Sequence, residues 1–153
     1  MPEFISALEP DSRDQVLALA EALASDRFNV STISETVCGY IEALDFTDRP
    51  DGETETEAWD SAEIARETFV RIAVDCLGFL YRVGCYLPDA VDYARVGRDL
   101  HYSRSGCGVG FFDRPAGMYT RDGHDYRDML QRAAEGMGRV DSYVGDDGRI
   151  YLS

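Results

Sequence analysis

The residues best equipped for chemistry lie between Gly97 and Arg114, where Arg98, Asp99, His101, Arg104, Cys107, Asp113 and Arg114 stand close together. A thiol beside an imidazole is the pairing of a nucleophile with its base. His101 and Cys107, flanked by Asp113 and Arg114, are therefore what a hydrolytic or small-ligand site would use. Read as a strand, the segment sets Asp99, His101 and Ser103 on one face and Leu100, Tyr102 and Arg104 on the other. A tight turn at Ser105-Gly106 then returns Cys107 across the ladder towards His101 or Ser103. The plainer role is structural, with Asp113 and Arg114 capping the hairpin end and Asp99 pairing with a nearby Arg. Gly106, Gly108 and Gly110 superficially resemble a phosphate loop, but that motif needs a helix directly after the glycines. Here Phe111-Phe112-Asp113 reads as continuing strand, so the glycines serve close packing on the sheet.

A second set of residues is acidic: Glu42, Asp45, Asp48, Asp51, Glu53, Glu55 and Glu57. The formal net charge is -14, and each of the 15 basic residues is Arg. The imbalance is local, because residues 1–63 hold 16 Asp and Glu against 3 Arg, whereas residues 64–153 hold 13 against 12. Direct binding of nucleic acid through its phosphates needs a clustered basic surface, which this chain lacks. A folded array of carboxylates can instead imitate DNA phosphates and occupy the basic surface of a host or phage protein, with fast, salt-sensitive association. The competing reading is a solvated acidic loop, at about 45–59, with no partner.

Other chemistries find little support. Cys38, Cys76, Cys85 and Cys107 form no CxxC pair and match no zinc template. Gly145-Asp146-Asp147-Gly148 lacks the further ligands of a calcium loop. No metal and no cofactor is therefore expected. The start Met1-Pro2-Glu3-Phe4 has an acid where a secretory signal carries basic residues. The apolar run from Ile72 to Leu87 is interrupted by Asp75 and Arg82, so it is not a membrane span. A cytoplasmic protein with reduced thiols is expected, with Cys76 a small buried hydrophobe.

The elements that position these residues follow from periodicity. One helix is expected from Ser12 to Ser25. A second is capped by Ser31 or Ser34 and carries Val37, Tyr40, Ile41 and Leu44 on one face. A long central helix should run from Ser61 to Val83 behind a capping box of Asp60 and Glu63. A short helix from Pro88 to Gly97 precedes the first hairpin, and an amphipathic helix spans Asp125 to Gly136, with His124 at its entry. Val140–Val144 and Arg149–Leu152 flank the Gly-Asp-Asp-Gly turn as a second hairpin. The expectation is one α+β domain over residues 1–153, N-terminal helices packed on a small antiparallel sheet made of two C-terminal hairpins.

Two strings carry a resemblance. Gly97-Arg98-Asp99-Leu100-His101-Tyr102-Ser103-Arg104-Ser105-Gly106-Cys107-Gly108-Val109-Gly110-Phe111-Phe112-Asp113-Arg114 and Tyr143-Val144-Gly145-Asp146-Asp147-Gly148-Arg149-Ile150-Tyr151 resemble a family of small phage and prophage proteins without an established activity. Tyr40-Ile41-Glu42-Ala43 and Ile64-Ala65-Arg66-Glu67-Thr68 are similar to that family's N-terminal half, and the similarity spans roughly residues 37–151. Arg98 and Cys107 stand where the family usually has His, so a paired-His site would be broken here. The resemblance implies a mobile-element origin and an accessory role. The leading expectation is thus a non-enzymatic phage-type protein that binds a basic or nucleic-acid-handling partner, as a host-defence inhibitor or DNA mimic. The alternative is a small-ligand or hydrolytic domain at the first hairpin. A homodimer through an apolar helix face or sheet edge is a third arrangement.

Overall fold

The computed structural model describes residues 10–48, 52, 55, 57–59 and 62–153. Helix α1 spans Pro10–Leu23; Pro at its first position and Asp11 in its first turn suit a helix start. Val16 and Ala20, one turn apart, form its buried stripe. Helix α2, Val30–Thr47, is capped by Asn29, whose side chain accepts from the Thr32 amide at 2.9 Å. Asn29, not Ser31 or Ser34, is thus the cap. Helix α2 is buried on nearly every side, with Ile33, Val37, Tyr40, Ile41 and Leu44 inside.

Strand β1, Glu63–Ile64, precedes helix α3, Arg66–Val83. The central helix therefore begins five residues later than expected. Glu63 lies in the strand, Ala65 precedes the helix without a side-chain cap, and Asp60 and Ser61 lie outside the described residues. Helix α3 buries Phe69, Ile72, Cys76, Phe79, Leu80 and Val83. The acidic loop also differs from expectation. Asp45 to Thr47 still belong to α2, residues 57–59 are helical, and Trp59 is buried with its Nε1 donating to Asp45 at 2.8 Å.

The largest correction concerns residues 93–113. The expected first hairpin is helix α4, Tyr93–Ser105, followed by a 3-10 turn at Phe111–Asp113. Asp92 caps α4 by accepting from the amides of Ala94 and Arg95, and Gly106 ends it in the left-handed conformation at φ 69°. Alternation of polar and apolar residues misled here because Asp99, Leu100, His101, Ser103 and Arg104 are all buried. A helix buried on several sides shows no clean 3.6-residue stripe.

The first of two C-terminal hairpins lies further along: β2, Thr120–Arg121, pairs antiparallel with β3, His124–Asp125. Its turn places Asp122 and Gly123 at φ 51° and 80°, the positive angles that a two-residue hairpin turn demands. His124 is exposed on β3, ahead of helix α5, Arg127–Glu135. The second hairpin joins β4, Ser142–Val144, to β5, Arg149–Leu152, as the Gly-Asp-Asp-Gly turn suggested. Strand β5 also pairs in parallel with β1, matching Ile64 to Ile150, so the three-stranded sheet has the order β1-β5-β4. The sheet is seated on α3 by Thr68, whose hydroxyl donates to the Ile150 carbonyl at 2.8 Å. The class is α+β. No helix among the described residues is long and apolar enough to cross a membrane.

One contact sets the rest. Helices α2 and α4 cross with backbone against backbone. A Cβ on Gly39 would sit 1.9 Å from the Ala94 carbonyl oxygen, and one on Gly97 would sit 1.9 Å from that of Thr36. Neither obstacle is the end of a flexible side chain, so an added methyl must push the helices apart. Gly39→Ala and Gly97→Ala are each expected to destabilise the protein by about 3 kcal/mol. Gly78→Ala, exposed on α3 with open space around it, should instead stabilise by up to about 1 kcal/mol. Urea unfolding of the three variants checks this, and similar small effects at all three would refute the close crossing.

Candidate functional site

The chemistry-bearing residues of the Gly97–Arg114 stretch are distributed around α4, and each meets a different neighbour. Asp99 is fully buried. It accepts from Arg114 Nε at 2.8 Å and, through its other oxygen, from the Tyr119 hydroxyl at 2.6 Å. Burial and the adjacent Asp99 carboxylate push the Tyr119 hydroxyl far above its usual pKa. Burial opposes the charge on Arg114, but the hydrogen bond and charge of Asp99 outweigh it and raise its pKa. The pairing of Asp99 with an Arg is therefore real, and it fastens the 111–119 segment to the helix.

His101 is also fully buried, with its ring edge-on to Tyr40 at 4.8 Å between centroids. Its Nε2 lies 2.7 Å from Thr47 Oγ1 and 3.3 Å from Asp48 Oδ1. A carboxylate only accepts, so Nε2 carries the proton. The ring's Nδ1 is buried without a hydrogen-bond partner among the described residues. Asp48 also accepts from the Ser142 hydroxyl at 2.6 Å, tying α2 to β4. Burial alone would raise the Asp48 pKa. Hydrogen bonds from His101, Ser142 and Thr47 outweigh it and hold the carboxyl below its ordinary value.

Ser103 donates to Gln131 Oε1 at 2.8 Å and accepts from the Phe111 amide at 3.2 Å. Gly110 passes so close that a Cβ would meet Ser103 Oγ at 2.3 Å. The glycines do permit close packing, but on a helix. Arg104 is buried and donates to the Gly138 carbonyl at 2.9 Å, Asp75 at 3.0 Å and the Tyr40 hydroxyl at 3.2 Å.

The alternative pairing of Cys107 with His101 as nucleophile and base is not made among the described contacts. Cys107 is exposed, with its Sγ 3.7 Å from the Tyr102 carbonyl, whereas His101 is turned inward to α2. Asp113 is exposed and Arg114 is turned to Asp99. The reason is the helix: residues meant to face each other across a ladder are splayed round a cylinder. The His101 side chain is buried, and its hydrogen bonds tie α4 to the end of α2. Among the described residues, no group of three His, Cys, Asp or Glu side chains gathers as metal ligands would. A groove of about 450 Å³ lies elsewhere, at the start of α3, lined by Ala65, Arg66, Glu67, Val70, Arg149 and Tyr151.

The acidic residues divide. Glu42 pairs with Arg98 at 3.1 Å, Asp45 receives Trp59, and Asp48 holds His101, so these three also act as internal fastenings. Glu55 and Glu57 are exposed, and Asp51 and Glu53 lie outside the described residues. Sequence reasoning missed an exposed row of acids on α1: Asp11, Asp14 and Glu21 lie on the side opposite Val16 and Ala20. Their spacing was readable. The second half differs in that its arginines are largely matched, as Arg121 is with Asp89, Arg127 with Asp125, Arg132 with Asp128 and Arg139 with Asp141.

Comparison with known proteins finds no match among family models, curated proteins or solved structures. The functional reading therefore rests on the residues themselves.

Two outcomes test the site's geometry. Burial pushes the Cys38 thiol up to about 11 and that of Cys76 higher still, whereas Cys85 and Cys107 are exposed. A thiol reagent at neutral pH should therefore label Cys85 and Cys107 quickly and the other two only on unfolding. Rapid labelling of Cys76 would contradict its burial. The lowered Asp48 pKa stabilises the fold fully above the ordinary carboxyl pKa of about 3.8, and the gain is lost as pH falls through the folded value. Asp48→Asn should thus be less stable than the parent at pH 6, with a shallower loss of stability below about pH 4. Equal acid profiles for the two would show that Asp48 is not held as described.

Proposed function

We propose that this chain is a non-enzymatic accessory protein of a phage or mobile element that docks on a basic, nucleic-acid-handling partner protein in the host cytoplasm. The observation that carries the reading is the division of charge. Residues 1–63 hold 16 acids against 3 Arg, while the arginines of the second half are largely met by carboxylates of that half. The exposed row of Asp11, Asp14 and Glu21 on α1, with exposed Glu55 and Glu57, offers carboxylates to a basic groove as DNA phosphates would. The phage-type accessory role is itself part of the proposal and follows from the motif strings of residues 97–114 and 143–151. The burial of Asp99, His101, Ser103 and Arg104, each hydrogen-bonded inside the protein, supports a structural reading of the motif over a hydrolytic or ligand-binding one.

The experiment is affinity capture from a host lysate at low and high salt, using the parent and a variant with Asp11→Asn, Asp14→Asn, Glu21→Gln, Glu55→Gln and Glu57→Gln. Raising ionic strength from about 0.1 M to 1 M shortens the screening length from about 10 Å to about 3 Å. A DNA-binding protein should be captured at low salt, lost at high salt and lost by the variant, and double-stranded DNA should compete for it. Capture that is indifferent to both salt and the acidic substitutions would sink the proposal.

A further inference from the structure

Helix α3 buries one face and carries partly exposed apolar residues along the other. Val70, Val74 and Tyr81 on that outer face are 36%, 53% and 41% exposed. Gly78 between them has open space where a side chain would stand. Their spacing of four, four and three residues sets the four positions in one stripe along the helix. The groove of about 450 Å³ flanks the stripe at its N-terminal end, around Glu67 and Val70. At the other end Tyr81 stands as a knob. Its hydroxyl is 2.9 Å from that of Ser25, its ring is edge-on to Phe28, and the Arg27 guanidinium lies over it. Knob and hole thus occupy opposite ends of a single helix face.

We propose that a second copy of this chain covers the stripe, the two α3 helices packing antiparallel about a two-fold axis at Val74. That axis lays Val74 on its counterpart, sets Val70 against Gly78 of the second copy, and brings Tyr81 to the groove beside Glu67. Because the contact is isologous, each of these pairings occurs twice. The charges agree with the packing. Glu67 and Arg82 lie on the same flank of the stripe, so the axis brings each Glu67 to an Arg82 of the second copy. Arg66 and Arg149, which line the groove, can stack on the incoming Tyr81 ring. Residues 64–153 hold 13 acids against 12 Arg, so the half that carries this face has little net charge to oppose its own approach. The inference does not depend on the acidic-face reading.

Sedimentation of the full chain over a concentration series tests it. The mass should rise reversibly from 17.1 kDa towards twice that value. Val74→Glu, at an exposed position that leaves the core intact, should weaken self-association by about tenfold or more. Glu67→Arg and Arg82→Glu should each weaken it, and the double variant should recover most of the loss. Circular dichroism on each variant shows that it is folded. A parent chain that stays at 17.1 kDa throughout, a Val74→Glu chain that associates as well as the parent, or a double variant weaker than either single one would overturn the proposal.

Discussion

The meeting of two helix backbones at Gly39 and Gly97 is the constraint from which the rest of the structure follows. Because neither residue has a side chain, α4 lies directly on α2; its flanks turn towards α5 and the 111–119 segment, and Arg104 reaches Asp75 on α3. A helix in that position has little solvent-facing surface. Its polar residues must therefore find partners inside the protein or impose a desolvation cost of several kcal/mol each. Asp99, Ser103, Arg104 and the Nε2 of His101 find them, and the partners come from different parts of the chain: Arg114 and Tyr119, Gln131, Tyr40 and Asp75 with the Gly138 carbonyl, and Thr47 and Asp48.

This arrangement gives the buried residues of the Gly97–Arg114 motif structural contacts. Gly97 sets the distance between helices, Gly106 ends α4, and Gly110 lets the 3-10 turn approach Ser103. Asp99 takes a cation on one oxygen and a phenol on the other, a geometry that leaves the buried carboxylate paired and hydrogen-bonded. Removing one member of such a buried pair usually costs about 3–5 kcal/mol, because the other is left uncompensated. Residues that look catalytic in a linear reading are here the means by which distant segments are held in register.

The readable parts of the fold were those with local causes. The apolar stripe of α1 and the long face of α3 follow helical spacing, and Gly145-Asp146-Asp147-Gly148 announces its hairpin. What could not be read was α4, because the partners that make its polar residues tolerable lie far away in sequence. Its two local signals, Asp92 as a cap and Gly106 as a stop, were outweighed by an alternating pattern. The candidate site depends on the same segment, since His101 and Cys107 meet only if Ser105-Gly106 turns a hairpin, and Gly106 instead ends α4. In the acidic half the excess charge was plain from composition. That Glu42, Asp45 and Asp48 reach inward to Arg98, Trp59 and His101 required the coordinates.

The parallel pairing of β1 with β5 has a bearing on how the chain acquires its shape. Glu63 and Ile64 find their neighbours only at Arg149 and Ile150, long after the helices between them have been made. Closing so large a loop carries an entropic cost that local helical contacts do not. As the polypeptide emerges from the ribosome, the helical layer can assemble while β1 still lacks its neighbour. Ser142 on Asp48 and Thr68 on Ile150 then join the sheet to the helical layer.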